Sequence, residues 1–167
     1  GPGSMKNISN KRIIKDLKLL LEEVDANNEA NSSGSPHSTA IFSVDTDTIY
    51  NWILKVKAPA DSVYGGAGNT YQLSVLFSDD YPHEPPTVRF VTPVYSPLVT
   101  GEGGICDRMV NDFWTPDQHA SDVIKLVLDR VFSQYKSRRD DDVNPEARHY
   151  LEKFPQDFAA RVRRGRG

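Results

Sequence analysis

The sequence contains a single cysteine, Cys106, and no long apolar run. One thiol excludes an internal disulfide framework and is typical of a reducing compartment, so we expect a cytoplasmic or nuclear protein. A membrane-spanning helix needs about 20 consecutive, mostly apolar residues, and no segment approaches that length. A signal-peptide pattern is also absent, so we expect no association with a membrane.

Histidine is scarce, and basic residues are not in excess. The four histidines are scattered and lack the spacing of a metal-ligand set, so we predict no metal site. The chain has 20 Lys and Arg against 23 Asp and Glu, a formal net charge of −3 at pH 7. This charge argues against a protein dedicated to binding nucleic acid.

The length and composition indicate one domain. The 167 residues, 38% of them hydrophobic and 26% charged, suffice for a single domain with its own core. Residues 1–4, Gly-Pro-Gly-Ser ahead of Met5, have the composition of an expression-tag remnant, which leaves residues 5–167 as the domain. Residues 25–38 are polar and predict a loop, flexible at about 27–38.

The first half of the chain predicts one helix followed by four strands. Residues 8–24 have an apolar stripe at helical spacing, with Ser9 or Asn10 as the candidate cap. Asp45-Thr46-Asp47 predicts a break after the first strand. Segments rich in β-branched and aromatic residues predict strands at Ala40–Val44, Tyr50–Lys57, Thr70–Phe77 and Thr87–Val91.

The second half predicts helices. A helical stripe covers residues 119–135, with Asp117 or Ser121 as cap candidates. Asp140-Asp141-Asp142 predicts a turn, and Asn144 followed by proline predicts a helix start. Pro155 divides the last segment into helices of about 145–153 and 155–164. The order predicts an α+β domain with a four-stranded antiparallel meander sheet, an N-terminal helix and C-terminal helices.

Cys106 lies in an irregular stretch between the strands and the last helices. A lone cysteine is more often a small buried hydrophobe than a nucleophile. Here Gly101, Gly103 and Gly104 precede it, which favours an accessible loop over deep burial. Arg108 is the one basic neighbour, and Asp107 should disfavour the thiolate.

Six motifs, in order between about Lys11 and Arg163, together resemble those of the ubiquitin-conjugating (E2) enzymes. The first is a basic helix start, and the fourth holds the cysteine. The motifs are KRIIKDL at 11–17, DSVYGG at 61–66, YPHEPP at 81–86, GGIC at 103–106, WTP at 114–116 and DDDVNPE at 140–146.

The resemblance implies a UBC-like fold and acyl transfer through a thioester. In that family the cysteine, here Cys106, accepts ubiquitin or a ubiquitin-like protein and passes it to a lysine or a ligase cysteine. The implied partners are the modifier, an activating (E1) enzyme, a ligase (E3) and protein substrates. No cofactor is implied, because ATP is used by the activating enzyme.

Leu98 stands where the family usually has the asparagine of His-Pro-Asn, eight residues before the cysteine. That amide is assigned to the oxyanion of lysine attack or to the active-site loop. Loss of one oxyanion donor costs about 10²–10³-fold in rate. We therefore predict a better acceptor of the modifier than donor to lysine. We also expect Leu98→Asn to speed discharge to free lysine and leave charging nearly unchanged.

Other site residues are carried over from the resemblance. Tyr95 and Asp141 match residues that desolvate and orient the attacking lysine, although ordinary packing and a turn carboxylate would explain them equally well. The resemblance also implies a surface that binds the activating enzyme and the ligase, and the basic face of the first helix contributes to it. The alternative interpretation of this face is that its lysines and arginines are simply exposed to solvent. That surface comprises Lys11, Arg12, Lys15, His83 and Pro116.

Two alternatives to a ubiquitin-conjugating enzyme remain open. The broken His-Pro-Asn triplet favours a catalytically impaired variant that binds ubiquitin or a ligase, whereas the retained Cys106 favours an enzyme. His83 replaces the usual phenylalanine of the ligase-binding loop. Histidine also occurs there in the branch that conjugates the ubiquitin-like protein NEDD8, which is the second alternative.

Overall fold

The computed structural model describes residues 2–29, 38–66 and 68–165. Most of the predicted 27–38 loop lies outside the described residues. The helices and strands within them are α1 (Pro2–Glu29), β1 (Ala40–Thr48), β2 (Asn51–Lys57), β3 (Thr70–Leu76), β4 (Thr87–Phe90), α2 (Asp107–Asn111), α3 (Ala120–Phe132), α4 (Pro145–Lys153) and α5 (Pro155–Arg164).

The predicted α+β meander is confirmed. The four strands lie in the order β1-β2-β3-β4, and each neighbouring pair is antiparallel. Side chains on β2 and β3 alternate between buried and more exposed positions, because successive residues of a strand point to opposite faces. The buried face carries Trp52, Leu54, Val56, Tyr71, Leu73 and Val75.

Helix α3 supplies the opposite wall of the core. Its buried residues recur at helical spacing, and Phe132 at its end packs against the rings of Tyr71 and Phe90, with centroid distances of 4.9 and 5.9 Å. The helix is capped by His119 through a capping box with Asp122, so Asp117 and Ser121 were wrong as caps. No helix among the described residues is long and apolar enough to cross a membrane.

The N-terminal helix is longer at both ends than predicted. It begins at Pro2, so Ser9 and Asn10 do not cap it; the buried Ser9 hydroxyl instead donates to the Ser78 carbonyl at 3.4 Å. It continues to Glu29, so the predicted loop was wrong for residues 25–29. Those five residues contain neither glycine nor proline, and nothing in them stops helical hydrogen bonding.

Strand β1 also runs further than predicted. Asp45, Thr46 and Asp47 belong to the strand: the first two pair with Ile53 and Trp52 of β2, and Asp47 lies at a shift in the register before the turn between Thr48 and Asn51. Since β1 is an edge strand and these side chains are exposed, their polarity does not prevent pairing. The helix starts at Pro145 and Pro155 are confirmed, with the Asn144 side chain accepting from the Ala147 N–H at 3.1 Å.

Candidate functional site

Cys106 lies at the start of a short helix that periodicity did not predict. It is the N-cap of α2, with extended backbone, and its side chain is partly exposed. Cys106 lines a cavity of about 370 Å³. The other lining residues are 84–89, 104–105, 107 and 110–111. The prediction of an accessible position for Cys106 is therefore confirmed.

Gly103 fixes the loop that leads to the cysteine. Its carbonyl accepts a hydrogen bond from the Phe90 N–H of β4 at 2.9 Å, and its own N–H donates to the Thr100 carbonyl at 3.0 Å. Thr100 and Gly104 are joined by two further bonds of 2.9 Å, one of them through the threonine hydroxyl. These bonds tie the loop to the sheet, so the backbone two residues before the thiol has a defined position.

Leu98 is a core residue. Its side chain is 0% exposed and belongs to the main hydrophobic cluster. The preceding carbonyl, of Pro97, accepts hydrogen bonds from the N–H groups of Val143 and Asn144 at 2.8 and 3.0 Å. The segment is thus joined to the start of α4, and its leucine faces the interior.

Burial of Leu98 changes the expected effect of restoring an asparagine there. We now expect Leu98→Asn to lower the free energy of unfolding by about 3 kcal/mol, because it removes a buried leucine and buries an amide. Urea unfolding measures this, with Leu98→Met, which conserves volume, expected to cost less than about 1.5 kcal/mol. Equal stability of the asparagine variant and the parent would show that the amide reaches solvent or a partner.

Tyr95 lies on a different cavity from Cys106. It lines a space of about 640 Å³ with residues of α5, and the two sets of lining residues have no member in common. The Arg161 guanidinium lies 4.2 Å from the centre of its ring. Burial raises the pKa of the Tyr95 hydroxyl, which has no hydrogen-bond partner among the described residues. The structure therefore does not bring Tyr95 into the space beside the thiol.

Asp141 is engaged in ion pairs. The residue is 5% exposed, and its Oδ2 accepts hydrogen bonds from Arg130 Nη1 and Arg138 Nε, both at 3.1 Å. Two guanidinium groups balance the charge of this buried carboxylate, which weakens its attraction for an incoming amine. Its position is that of a structural residue in the turn before α4.

Four of the five predicted partner-binding residues are exposed. These are Lys11, Lys15, His83 and Pro116. Arg12 is half-buried and bound within the chain: its guanidinium donates to Asp16 Oδ1 at 3.2 Å, to the Pro116 carbonyl at 2.7 Å and to the Gln118 carbonyl. The role of Arg12 visible in the fold is to hold the loop that presents Pro116.

The centre of this surface is a buried carboxylate, Asp16, which the sequence reasoning missed. It is 0% exposed and contacts four hydrogen-bonding groups. They are the Arg12 guanidinium, the Tyr81 hydroxyl, the Ala120 N–H at 3.1 Å and His119 Nδ1 at 2.8 Å. The signal was present, because Asp16 stands between Ile13 and Leu20 on the apolar stripe of α1, and a buried acid requires partners.

The contacts of Asp16 bring three distant segments to one face. Tyr81 comes from the segment before His83, and His119 from the segment after Pro116. The Trp114 indole N–H donates to the Pro82 carbonyl at 2.8 Å and joins the same two segments directly. Burial and the hydrogen bond to Asp16 raise the pKa of the Tyr81 hydroxyl. The predicted partner-binding residues therefore lie on segments that are bonded to one another.

Comparisons with known proteins agree with this architecture. The family model of ubiquitin-conjugating enzymes matches residues 12–165. The chain is 35% identical over 109 residues to the Arabidopsis thaliana protein named probable ubiquitin-conjugating enzyme E2 31, a match that covers 64% of this chain and 68% of the relative. It is 96% identical to a solved structure assigned to the ubiquitin-conjugating enzymes of Trypanosoma cruzi, with a TM-score of 0.87, covering 94% of this chain and 98% of that one.

Proposed function

The chain belongs to the ubiquitin-conjugating enzyme family, and on that premise we propose that Cys106 accepts ubiquitin or a ubiquitin-like protein as a thioester. The observation that supports this most is the partly exposed thiol, the only one in the chain, on a cavity beside a loop that Gly103 fixes to the sheet. The cytoplasm or nucleus is the proposed location, and no cofactor of its own is proposed.

Charging is a thiol–thioester exchange. The Cys106 thiolate attacks the carbonyl carbon of the activating enzyme's thioester, the tetrahedral intermediate collapses, and the thiolate of the activating enzyme leaves. A new C–S bond forms on Cys106, and the number of thioesters is unchanged. ATP is consumed earlier, by the activating enzyme.

We expect a ligase cysteine to be a better acceptor than a free lysine. A thiolate is the stronger nucleophile at neutral pH and depends less on a donor for the oxyanion. The core position of Leu98 and the ion pairs of Asp141 both favour this order, because neither side chain is free to assist an amine. Protein substrates would then receive the modifier mainly through the ligase.

The surface held by Asp16 is the proposed site for the activating enzyme and ligase. It presents Lys11 and Lys15 from α1, His83 from the loop before β4, and Pro116 from the loop before α3. We assign Arg12 to the support of this surface, because its guanidinium is already bonded to Asp16 and to two carbonyls of the Pro116 loop.

A charging assay tests the proposal. The protein is incubated with ATP, an activating enzyme and its modifier, in separate reactions for ubiquitin and for ubiquitin-like proteins including NEDD8. We expect an adduct that reducing agent removes and that is absent in Cys106→Ala. Since the chain has one cysteine, such an adduct can lie on no other thiol. Absence of an adduct with every modifier would contradict the proposal.

A second candidate is a non-catalytic module that binds ubiquitin or a ligase with the same fold. It is favoured by one observation, that the position of the family's asparagine is occupied by a core leucine. If the protein is such a module, its Cys106→Ala variant should bind the partner as tightly as the parent does, and the parent should form no thioester. Binding measured by calorimetry on both forms, beside the charging assay, separates the two candidates.

A further inference from the structure

We propose that Asp140, rather than Asp141, is the carboxylate that positions an incoming lysine amine at the Cys106 thioester. This rests on the proposed function of Cys106. Asp140 and Asp141 are neighbours in the same 3-10 turn, Arg139–Asp141, but their surroundings differ in burial and in pairing.

The two carboxylates that follow Asp140 in the turn, those of Asp141 and Asp142, are neutralised within the fold. Asp141 accepts from Arg130 and Arg138, as described above. Asp142 is bound by the buried Arg148 through two bonds, Nε to Oδ2 at 2.8 Å and Nη2 to Oδ1 at 2.6 Å. These ion pairs hold the turn rigidly and leave neither carboxylate to attract a cation.

Asp140 differs from both. Its side chain is exposed, and within the described part of the chain its carboxylate takes part in no ion pair or hydrogen bond. It is therefore the one acid of the Asp140-Asp141-Asp142 run that keeps its full negative charge available at the surface. An exposed, unpaired carboxylate can bind an ammonium group without first losing a partner.

Arg108 joins the turn that carries Asp140 to the short helix that begins after Cys106. Its Nη2 donates to the Asp140 carbonyl at 3.2 Å, and Arg108 is the second residue after Cys106. The helix whose N-cap is Cys106 is thus bonded directly to the turn that carries Asp140. The ion pairs of Asp141 and Asp142 keep the turn in place, and Arg108 fixes the thiol helix against it.

The arrangement also separates the acyl chain from the attacking group. The cavity beside the thiol, between residues 84–89 and α2, gives the modifier's C-terminal tail a place to lie, and no residue of the turn lines it. In the proposed arrangement the amine approaches from the side of the turn, where Asp140 is exposed. The amine attacks the thioester carbon, the Cys106 thiolate leaves, and the proton of the ammonium goes to solvent. Asp140 raises the local concentration of the lysine and orients it.

Single-turnover discharge of the charged, full-length protein tests the assignment. The acceptors are free lysine, which is cationic, and free cysteine, whose thiol needs no carboxylate. We expect Asp140→Asn to slow discharge to lysine roughly tenfold and discharge to cysteine less than about twofold. Asp140→Glu should recover most of the lysine rate. Asp112→Asn, which removes an exposed carboxylate just after α2, serves as the matched control.

Three results would overturn the assignment. The first is a rate of discharge to lysine that is unchanged in Asp140→Asn. The second is a rate that falls instead in Asp107→Asn, which removes the exposed acid next to the thiol. The third is a rate that falls in Asp141→Asn while the melting temperature stays the same. Failure of the unmodified protein to form any thioester would contradict the proposed function itself. A thioester that forms normally and ignores Asp140 would contradict this inference alone.

Discussion

Replacing Gly103 by alanine is expected to destabilise the protein by about 4 kcal/mol and to abolish charging of Cys106. The residue has φ of +87°, where an L side chain is strained, and a Cβ there would lie 1.9 Å from the Phe90 carbonyl oxygen and 3.0 Å from its carbon. Those atoms are backbone of a sheet strand and cannot rotate away. The loop must therefore move, which breaks the Phe90 N–H to Gly103 carbonyl bond that positions the thiol.

Two other glycines separate the causes of this loss. Gly101→Ala, in the same loop, has no heavy atom within 4 Å of the added Cβ and should change stability by less than about 0.5 kcal/mol. Gly66→Ala has a φ of +83° but open space around the Cβ, so it measures the backbone strain without the clash. Denaturant unfolding and the charging assay are run on all three. A Gly103→Ala protein that unfolds and charges like the parent would show that the loop can relax.

Asp16→Ala is expected to lower the free energy of unfolding by about 4 kcal/mol, since loss of one partner from a buried ionic cluster typically costs 3–5 kcal/mol. The substitution leaves the Tyr81 hydroxyl, the Ala120 N–H and part of the Arg12 guanidinium without their buried acceptor. Equilibrium unfolding in urea measures the loss.

The same substitution should also weaken binding of the activating enzyme. Asp16 connects the segments that carry Lys11, His83 and Pro116, so these would lose their relative positions even at temperatures where the domain stays folded. Asp25→Ala, at an exposed acid further along α1, is the control and should leave stability and binding unchanged. If Asp16→Ala is as stable as that control, the carboxylate does not support the surface as inferred.

The order and kind of the longer helices and the strands followed from the sequence alone, since they depend on patterns within a few residues, whereas the five-residue α2 is too short to show a period. Alternation in Tyr50–Lys57 and Thr70–Phe77 predicts strands with one buried face, and proline after Asn144 and Phe154 predicts two helix starts. The predicted ends of two elements were wrong. The edge strand β1 continues through Asp45, and helix α1 continues through the polar residues 25–29. The cysteine motif is likewise local, contained within four residues, and it predicts Cys106 as the nucleophile.

The roles of individual side chains around the thiol required the tertiary structure. Leu98, Tyr95 and Asp141 stood at plausible positions in the sequence, yet the fold places the first in the core, the second on another cavity and the third between two arginines. The Arg12 guanidinium donates a hydrogen bond to the carbonyl of Pro116, which lies 104 residues further along the chain. Burial, pairing and the direction of a side chain are set by segments this far apart, and no local pattern contains them. The sequence by itself therefore determined the fold and the residue proposed as the nucleophile, whereas only the packed structure decided which neighbouring groups remain free to assist it.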